Sequence, residues 1–438
     1  MKSTGIRWIG DIPSDWNVKR IKYVATLKGR IGWQGLTSDE YQDEGAYLIT
    51  GVDFLNGGIN WEQCEHVPMK RWEEAKDIQI KNGDLLITKD GTVGKVAIVS
   101  NIPGETSLNS GVLRIMPEEG YSKRFLFWVL QSDVFWNWFN YRNAGNSTII
   151  HLYQGDFAEF MYAFPNYDEQ EKIADFLFHE CNKLDEIIET VQQQINTLRE
   201  YKKSLITEAV TKGIDGNAKM KPSGNEWIGD MPAHWDLSRT LYLLQMPITD
   251  GPHTTPEMQD DGIPFVSAEA VSNGNGKIDF DHIWGYISEE FYKECCNKYK
   301  PQMDDIYMIK SGATTGKVAI VDTDRVFTIW SPLAVFRCDR SKMVPRFMYY
   351  SLQADFFQMQ VQLGWTYGTQ QNIGMRTLEH LKVCVPPVSE QEKIVEYLDE
   401  KVSVVDTLIE AMESQYETIC SHKSSLIYEY VTGKKRIN

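Results

Sequence analysis

No run of apolar residues in this 438-residue sequence approaches the ~18 that would span a membrane. The opening stretch, MKSTGIRWIGDIPSDW, has no apolar core of the kind a secretory leader carries. Cysteine is sparse. Seven thiols, none in a CxxC pair and two of them adjacent (Cys295 and Cys296), point to reduced side chains in a cytoplasmic protein, not to a disulfide framework. Eight dispersed histidines include no His-x3-His pair, so no metal site is expected. Positive charge is short as well. A net charge of −16 excludes a simple basic DNA-binding protein, because phosphate contacts need Lys and Arg. No segment compensates: residues 1–167 hold 17 basic and 20 acidic side chains, residues 214–388 hold 16 and 21, and residues 168–213 and 389–438 hold 6 and 10 each. If the chain grips DNA, a partner must bring part of the attraction.

What is present is repetition. WIGDIPSDW (Trp8–Trp16) recurs as WIGDMPAHW (Trp227–Trp235), DLLITKDGTVGKVAIV (Asp84–Val99) as DIYMIKSGATTGKVAIV (Asp305–Val321), EQEKIADFL (Glu169–Leu177) as EQEKIVEYL (Glu390–Leu398), and SLITEAVTKG (Ser204–Gly213) as SLIYEYVTGK (Ser425–Lys434). Four matches in one order at offsets of 219 to 222 make the chain two copies of a unit of about 220 residues. Each unit opens with a mixed stretch of short apolar runs, Gly and Asn turns and many aromatics, and closes with one long helix. A Pro-containing turn held between two indoles makes the WIGDxPxxW motif a packing element.

The helices are announced by their heads and their period. Asp168 with Glu171, and Ser389 with Glu392, read as N-caps with an acidic partner three residues on. Pro165 and Pro386–Pro387 lie just upstream. Leu184, Ile188, Val191, Ile195, Leu198, Leu205 and Ala209 then fall in alternating steps of four and three, interrupted at Lys202. In the second copy the seam is Val405, Ile409, Met412, Tyr416, Ile419, Leu426 and Tyr430, interrupted at Lys423. Helices of ~40 residues and ~60 Å cannot be buried in one small domain, so the two should pack on each other. The matched lysines either fix the register of that pairing or lift out of the seam and specify nothing.

KDGTVGKVAIV and KSGATTGKVAIV invite a phosphate-loop reading. Both fail it, since Lys95 and Lys317 are followed by valine and the glycine spacing is too short. A β-hairpin fits better: an apolar strand, a glycine turn and a β-branched strand. The turns present Lys89, Thr92 and Lys95 in the first copy, and Lys310, Ser311, Thr314, Thr315 and Lys317 in the second. These are donors for phosphates or base edges, or else solvated turn residues. The copies diverge at two places rich in Gly, amides, hydroxyls and aromatics. Leu27–Tyr41, with Arg30, Trp33 and Gln34, faces Met246–Asp260, with His253 and Thr254. Tyr141–Leu152, with Arg142, Asn146, Ser147 and Thr148, faces Leu363–Met375, with Tyr367, Thr369, Gln370, Gln371 and Asn372. Asn and Gln can read adenine bidentately and Arg can read guanine. Two readers on one scaffold with different loops would read two different sequences.

The repeated WIGDxPxxW starts, the GKVAIV hairpins and the EQEKI-headed helices resemble the specificity subunits of type I restriction–modification systems, and the resemblance spans the whole chain, duplication included. It implies an α+β architecture. Two tandem α/β target recognition domains (1–165 and 225–387) would alternate with two long helices (166–213 and 388–434) paired as an antiparallel coiled coil, with a linker at 214–224. Each domain would read half of a bipartite site in double-stranded DNA. The helices would set the unread gap and dock two methyltransferase subunits, and motor–nuclease subunits would join for restriction. S-adenosylmethionine, Mg and ATP would belong to those partners and no cofactor to this chain. The absence of an NPPY-type methylase motif, a Walker A motif and a nuclease cluster agrees. The competing reading is a coiled-coil scaffold without DNA specificity, which leaves the divergent polar loops unexplained.

Overall fold

The computed structural model describes residues 1–30, 36–144, 151–367 and 371–437, with Thr366 and Tyr367 described by their backbone alone. The chain forms two compact units, Met1–Gln192 with Ser414–Asn438, and Gln193–Glu413. Each unit therefore holds one mixed domain, the head of the long helix that follows it, and the tail of the other long helix.

In the first unit, Val96–Ile98, Leu85–Thr88, Val112–Pro117 and Ala25–Gly29 form a four-stranded antiparallel sheet in that order. The LLIT strand is buried along its whole length, as expected of an apolar run covered on both faces. A second sheet centres on Ala46–Ile49, parallel to Thr106–Leu108 and antiparallel to Glu65–Val67. The helices Lys123–Gln131 and Asp133–Arg142 start at Ser122 and Ser132, whose side chains accept from the N–H groups of Phe125 and Val134. Their aromatic faces, including Phe125, Trp128, Phe135 and Trp138, fill the core with Phe157 and Phe160. Trp16 is fully buried there, edge-on to Phe125 at 6.2 Å. Removing such an indole from water is worth about 5 kcal/mol before ordering costs.

The second unit repeats the order of both these sheets. Its four-stranded sheet runs Thr249–Asp250, Leu333–Phe336, Ile306–Ile309 and Val318–Ile320. In its three-stranded sheet Ile263–Val266 is parallel to Thr328–Ile329 and antiparallel to Gly285–Ile287. Trp235 is fully buried, in the place Trp16 holds in the first unit. The expected hairpins form in both units, with Val96 opposite Ile87 and Val318 opposite Met308.

The long helices run Tyr167–Lys212 (46 residues) and Val388–Val431 (44 residues). Their caps differ from those expected of the sequence. Asn166, not Asp168, caps the first helix, its Oδ1 accepting from Glu169 N at 3.0 Å. Ser389 lies inside the second helix, and the Pro387 carbonyl accepts from Glu390 and Gln391 N–H. In both cases the helix reaches further back than the candidate cap, which leaves Asp168 and Ser389 in the first turn. Glu171 does not bond back to a cap. It accepts from Ser122 Oγ and pairs with Arg124 at 3.1 Å.

The glutamine of each EQEKI motif fastens a helix to its domain. Gln170 is 1% exposed; its Oε1 accepts from Ser122 N at 2.8 Å and its Nε2 donates to the Pro165 carbonyl at 3.0 Å. Gln391 is 0% exposed and accepts from Val344 N at 2.7 Å while donating to the Lys342 and Pro386 carbonyls, each at 2.9 Å. A buried amide that saturates both backbone polarities holds strand exit, helix head and neighbouring helix start in one geometry. No helix among the described residues is long and apolar enough to cross a membrane.

Candidate nucleic-acid interface

Each hairpin turn gathers the polar loops singled out in the sequence. In the first unit Lys89 N donates to Gly111 O at 2.8 Å, and Lys89 O accepts from Leu152 N at 2.9 Å. The loop that ends at Leu152 is thereby sewn to the hairpin, and the His151 Nδ1–Asp90 Oδ1 contact of 2.6 Å reinforces the seam. Thr92 closes the turn from above, donating to Gly51 O at 2.9 Å. Gly94, at φ +85°, rests on the Trp136 ring, which a Cβ would meet at 2.5 Å, so only glycine fits. Lys95 points outward and Lys89 is half-buried, and neither has an ion-pair partner among the described residues. Arg142 is exposed and paired with Asp156.

Arg30 takes a different role from the one its sequence context suggests. It is 6% exposed, and its guanidinium donates to Leu108 O at 2.7 Å and Ser107 Oγ at 3.0 Å. Burial pulls it down to about 10. It braces the strand Thr106–Leu108, because the adjoining sheet offers acceptors that an inward-facing guanidinium can satisfy.

The second unit builds the same convergence from other side chains. Lys310 N donates to Pro332 O at 2.8 Å, Lys310 O accepts from Ile373 N at 2.9 Å, and Gly312 N donates to Gln371 O at 3.0 Å. Ser311 bridges to Asn372 in the position taken by Asp90 and His151 in the first unit. Thr366 and Tyr367 pair with Asn372 and Gln371 in a two-stranded ribbon. Gln371 and Asn372 are exposed, Ser311 and Thr314 half-buried, and Thr315 donates to Gly312 O at 2.7 Å within the turn. Lys317 reaches Ser272 O at 3.3 Å. Thr254 is exposed.

Asp250, which the sequence did not single out, lies beneath this cluster. It is 1% exposed, and its carboxylate meets Lys298 Nζ at 2.5 Å, His253 Nε2 at 3.1 Å and Lys310 Nζ at 3.3 Å. Burial pushes the carboxyl up, and the two ammonium groups more than offset this, holding it below the usual carboxylate range. Its neighbour Gly251 passes so close to Ile329 that an added Cβ would meet the carbonyl oxygen at 2.0 Å. The candidates Trp33, Gln34, Asn146, Ser147, Thr148, Thr369 and Gln370 lie outside the described residues.

Within each unit the long helices pair antiparallel. In the second unit Arg199 meets Glu413 at 2.6 Å and Lys202 meets Asp406 at 2.6 Å, so positions rise along one helix as they fall along the other. In the first unit Lys423 meets Asp185 at 2.5 Å and Phe176 meets Tyr430 at 4.5 Å. The predicted seam is inward: Val191, Ile195, Val405 and Ile409 are buried, and Leu184, Ile188, Leu198, Leu205, Met412, Tyr416, Ile419 and Leu426 are half-buried. The seam lysines do not lift out of it. Each finds an aspartate on the opposite helix, and the two pairs occupy equivalent positions of the two copies.

A family model described as the type I restriction modification DNA specificity domain matches residues 13–197 and 252–416. The sequence is 25% identical over 439 residues to the type I restriction enzyme MjaX specificity subunit of Methanocaldococcus jannaschii, spanning 98% of this chain and 96% of that one. It is 24% identical to the MjaVIII specificity subunit of the same organism, over 97% of this chain and 94% of that one. In fold it is similar to a chain solved in a study of complex assembly and conformational transition of the type I R-M system, with a TM-score of 0.67 at 18% identity, over 97% of this chain and 100% of that one. With the domain model matched once in each repeat, the chain belongs to the family of type I restriction–modification DNA specificity subunits.

Proposed function

We propose that each recognition domain reads one half of a bipartite target in double-stranded DNA through the loops gathered at its hairpin, and that the paired helices set the unread gap and dock two methyltransferase subunits. The supporting observation is the convergence itself. In both units the second of the two divergent loops is hydrogen-bonded at its end to the same strand end, Leu152 N to Lys89 O in one and Ile373 N to Lys310 O in the other. A shared frame with unlike polar edges suits two readings of two sequences. The chain contributes recognition without catalysis. S-adenosylmethionine, Mg and ATP enter through the methyltransferase and motor–nuclease partners, in the cytoplasm, where those partners and the chromosome are. The acidic balance of −16 fits a reader whose partners supply much of the phosphate neutralisation.

Exchanging residues 1–165 for the corresponding domain of a relative tests this. Methylation-sensitive sequencing of the host should show one half of the target changed and the other kept. A change in both halves refutes independent reading. A scaffold without DNA specificity would show no sequence preference in gel shifts, with or without the methyltransferase partner.

A further inference from the structure

Asp250 is placed unlike anything in the first unit. It pairs across the sheet with Ala334, as Gly29 pairs with Leu113. At this equivalent strand position one domain has no side chain and the other a fully buried carboxylate. That carboxylate touches three cationic or proton-binding groups from three segments: His253 on the following loop, Lys298 in the last turn of the helix Glu289–Lys298, and Lys310 at the end of the first hairpin strand. Two lysines against one aspartate leave a surplus positive charge. Lys298 and His253 form the outward side of this set, at 48% and 70% exposed, while Lys310 at 13% and Asp250 at 1% lie beneath them. Lys298 also donates to Gly251 O at 3.2 Å, which ties the helix end to the loop. A buried carboxylate needs several donors in any case, and Asp305, also 1% exposed, takes its own from Arg337, Tyr299 and the Gln302 N–H; what sets Asp250 apart is that its partners are cationic or proton-binding side chains, two of them exposed. Three such partners, on separate segments beside the divergent loops, make it an organiser of charge.

We propose that Asp250 is a positioning residue for DNA binding by the second recognition domain, holding Lys298, Lys310 and His253 as one preformed set of donors for the phosphate backbone of its half-site. The inference rests on the reading of the chain as a DNA reader and adds to it the residue that preorders the contact. Two long lysine side chains otherwise lose their rotamer freedom on binding. Held in advance on Asp250, they have already lost it.

The sign of the effect makes the idea testable. Removing a negative charge beside DNA should tighten binding if Asp250 acts only through charge, whereas loss of positioning should weaken it. The full chain with its methyltransferase partner would be titrated with a duplex carrying the target mapped from host methylation, and with one altered in the second half-site, over a range of salt. D250N is expected to melt at a lower temperature, because Lys310 loses its buried partner, and, measured well below that temperature where it is folded, to bind several-fold more weakly. K298M, at an exposed site, is expected to lower the slope of log affinity against log salt by about 1 while keeping the wild-type preference between the two duplexes. Wild-type or tighter affinity in a folded D250N overturns the proposal. So does an unchanged salt slope in K298M, which decides the matter even if D250N does not fold. If the wild-type complex does not distinguish the two duplexes, the DNA reading itself has failed.

Discussion

The lysine–aspartate pairs across the helix seam can be weighed against their surroundings. Lys202 and Asp406 are 20% and 25% exposed and 2.6 Å apart. Fully exposed pairs contribute ~0.2–1 kcal/mol, and hydrogen bonds to charged groups shielded from water contribute ~1.5–3 kcal/mol. A pair three-quarters buried at one end should fall between, at a coupling of about 1 kcal/mol. Lys423 and Asp185 are 24% and 53% exposed, and solvent screening at the aspartate lowers the expectation to about 0.5 kcal/mol. The perturbation is a double-mutant cycle in the full chain: K202M, D406N, both together, and the exchanged pair K202D/D406K. Each single variant strands a half-buried charge and should lower the melting temperature by about 2–4 °C per kcal/mol lost, while the exchanged pair should recover most of the loss. Thermal and urea unfolding read the coupling. Additivity within about 0.3 kcal/mol would mean that Lys202 merely tolerates the seam, and the argument that it fixes register would fall.

Other perturbations address the rest of the frame. Gln391→Leu removes the partners of one buried N–H and two carbonyls and should cost about 2–3 kcal/mol in urea unfolding; Gln170→Leu should behave alike, and a loss under about 0.5 kcal/mol in both would contradict the clamp. Gly94→Ala forces a Cβ onto the Trp136 ring at φ +85° and should destabilise by about 1–3 kcal/mol, where a neutral result would mean that the turn moves freely. Deleting one heptad from both long helices shortens each by about 10 Å, about three base-pair steps. The methylated target should then lose about that many bases from its gap with both half-sites intact, and unchanged spacing would exclude the ruler role.

Periodicity and repetition carried the large features into view. The heptads, the hairpins and the equivalence of the copies are local or self-referential signals, and the buried seam at Val191, Ile195, Val405 and Ile409 follows them. What the sequence did not disclose depends on distant partners. Asp250 lies within a stretch chosen for its polar content, yet no spacing tells that Lys298, 48 positions on, will meet it. Arg30 looked like a base reader because guanidinium groups often are; the acceptors that turn it inward are 77 and 78 positions away. The helix starts were misjudged for a smaller reason, since Asn166 and Pro387 offer nearer acceptors than the residues that resembled a capping box. The glutamine of EQEKI served only as a signature, although its amide joins three backbone groups.

The joinery at those glutamines has an evolutionary consequence. Beside side-chain contacts such as Glu171 with Arg124, domain and strut meet through a side-chain amide and main-chain atoms, and main-chain atoms are supplied by any sequence that folds the same way. A recognition domain borrowed from elsewhere would find this part of its seat ready, provided its exit strand and adjoining helix start present the same N–H and carbonyls, and would need few matched side chains besides. Because both copies carry the same socket, genetic exchange at this point swaps whole reading heads and leaves the fittings untouched, so new specificities can arise by cassette replacement and not only by remodelling base by base.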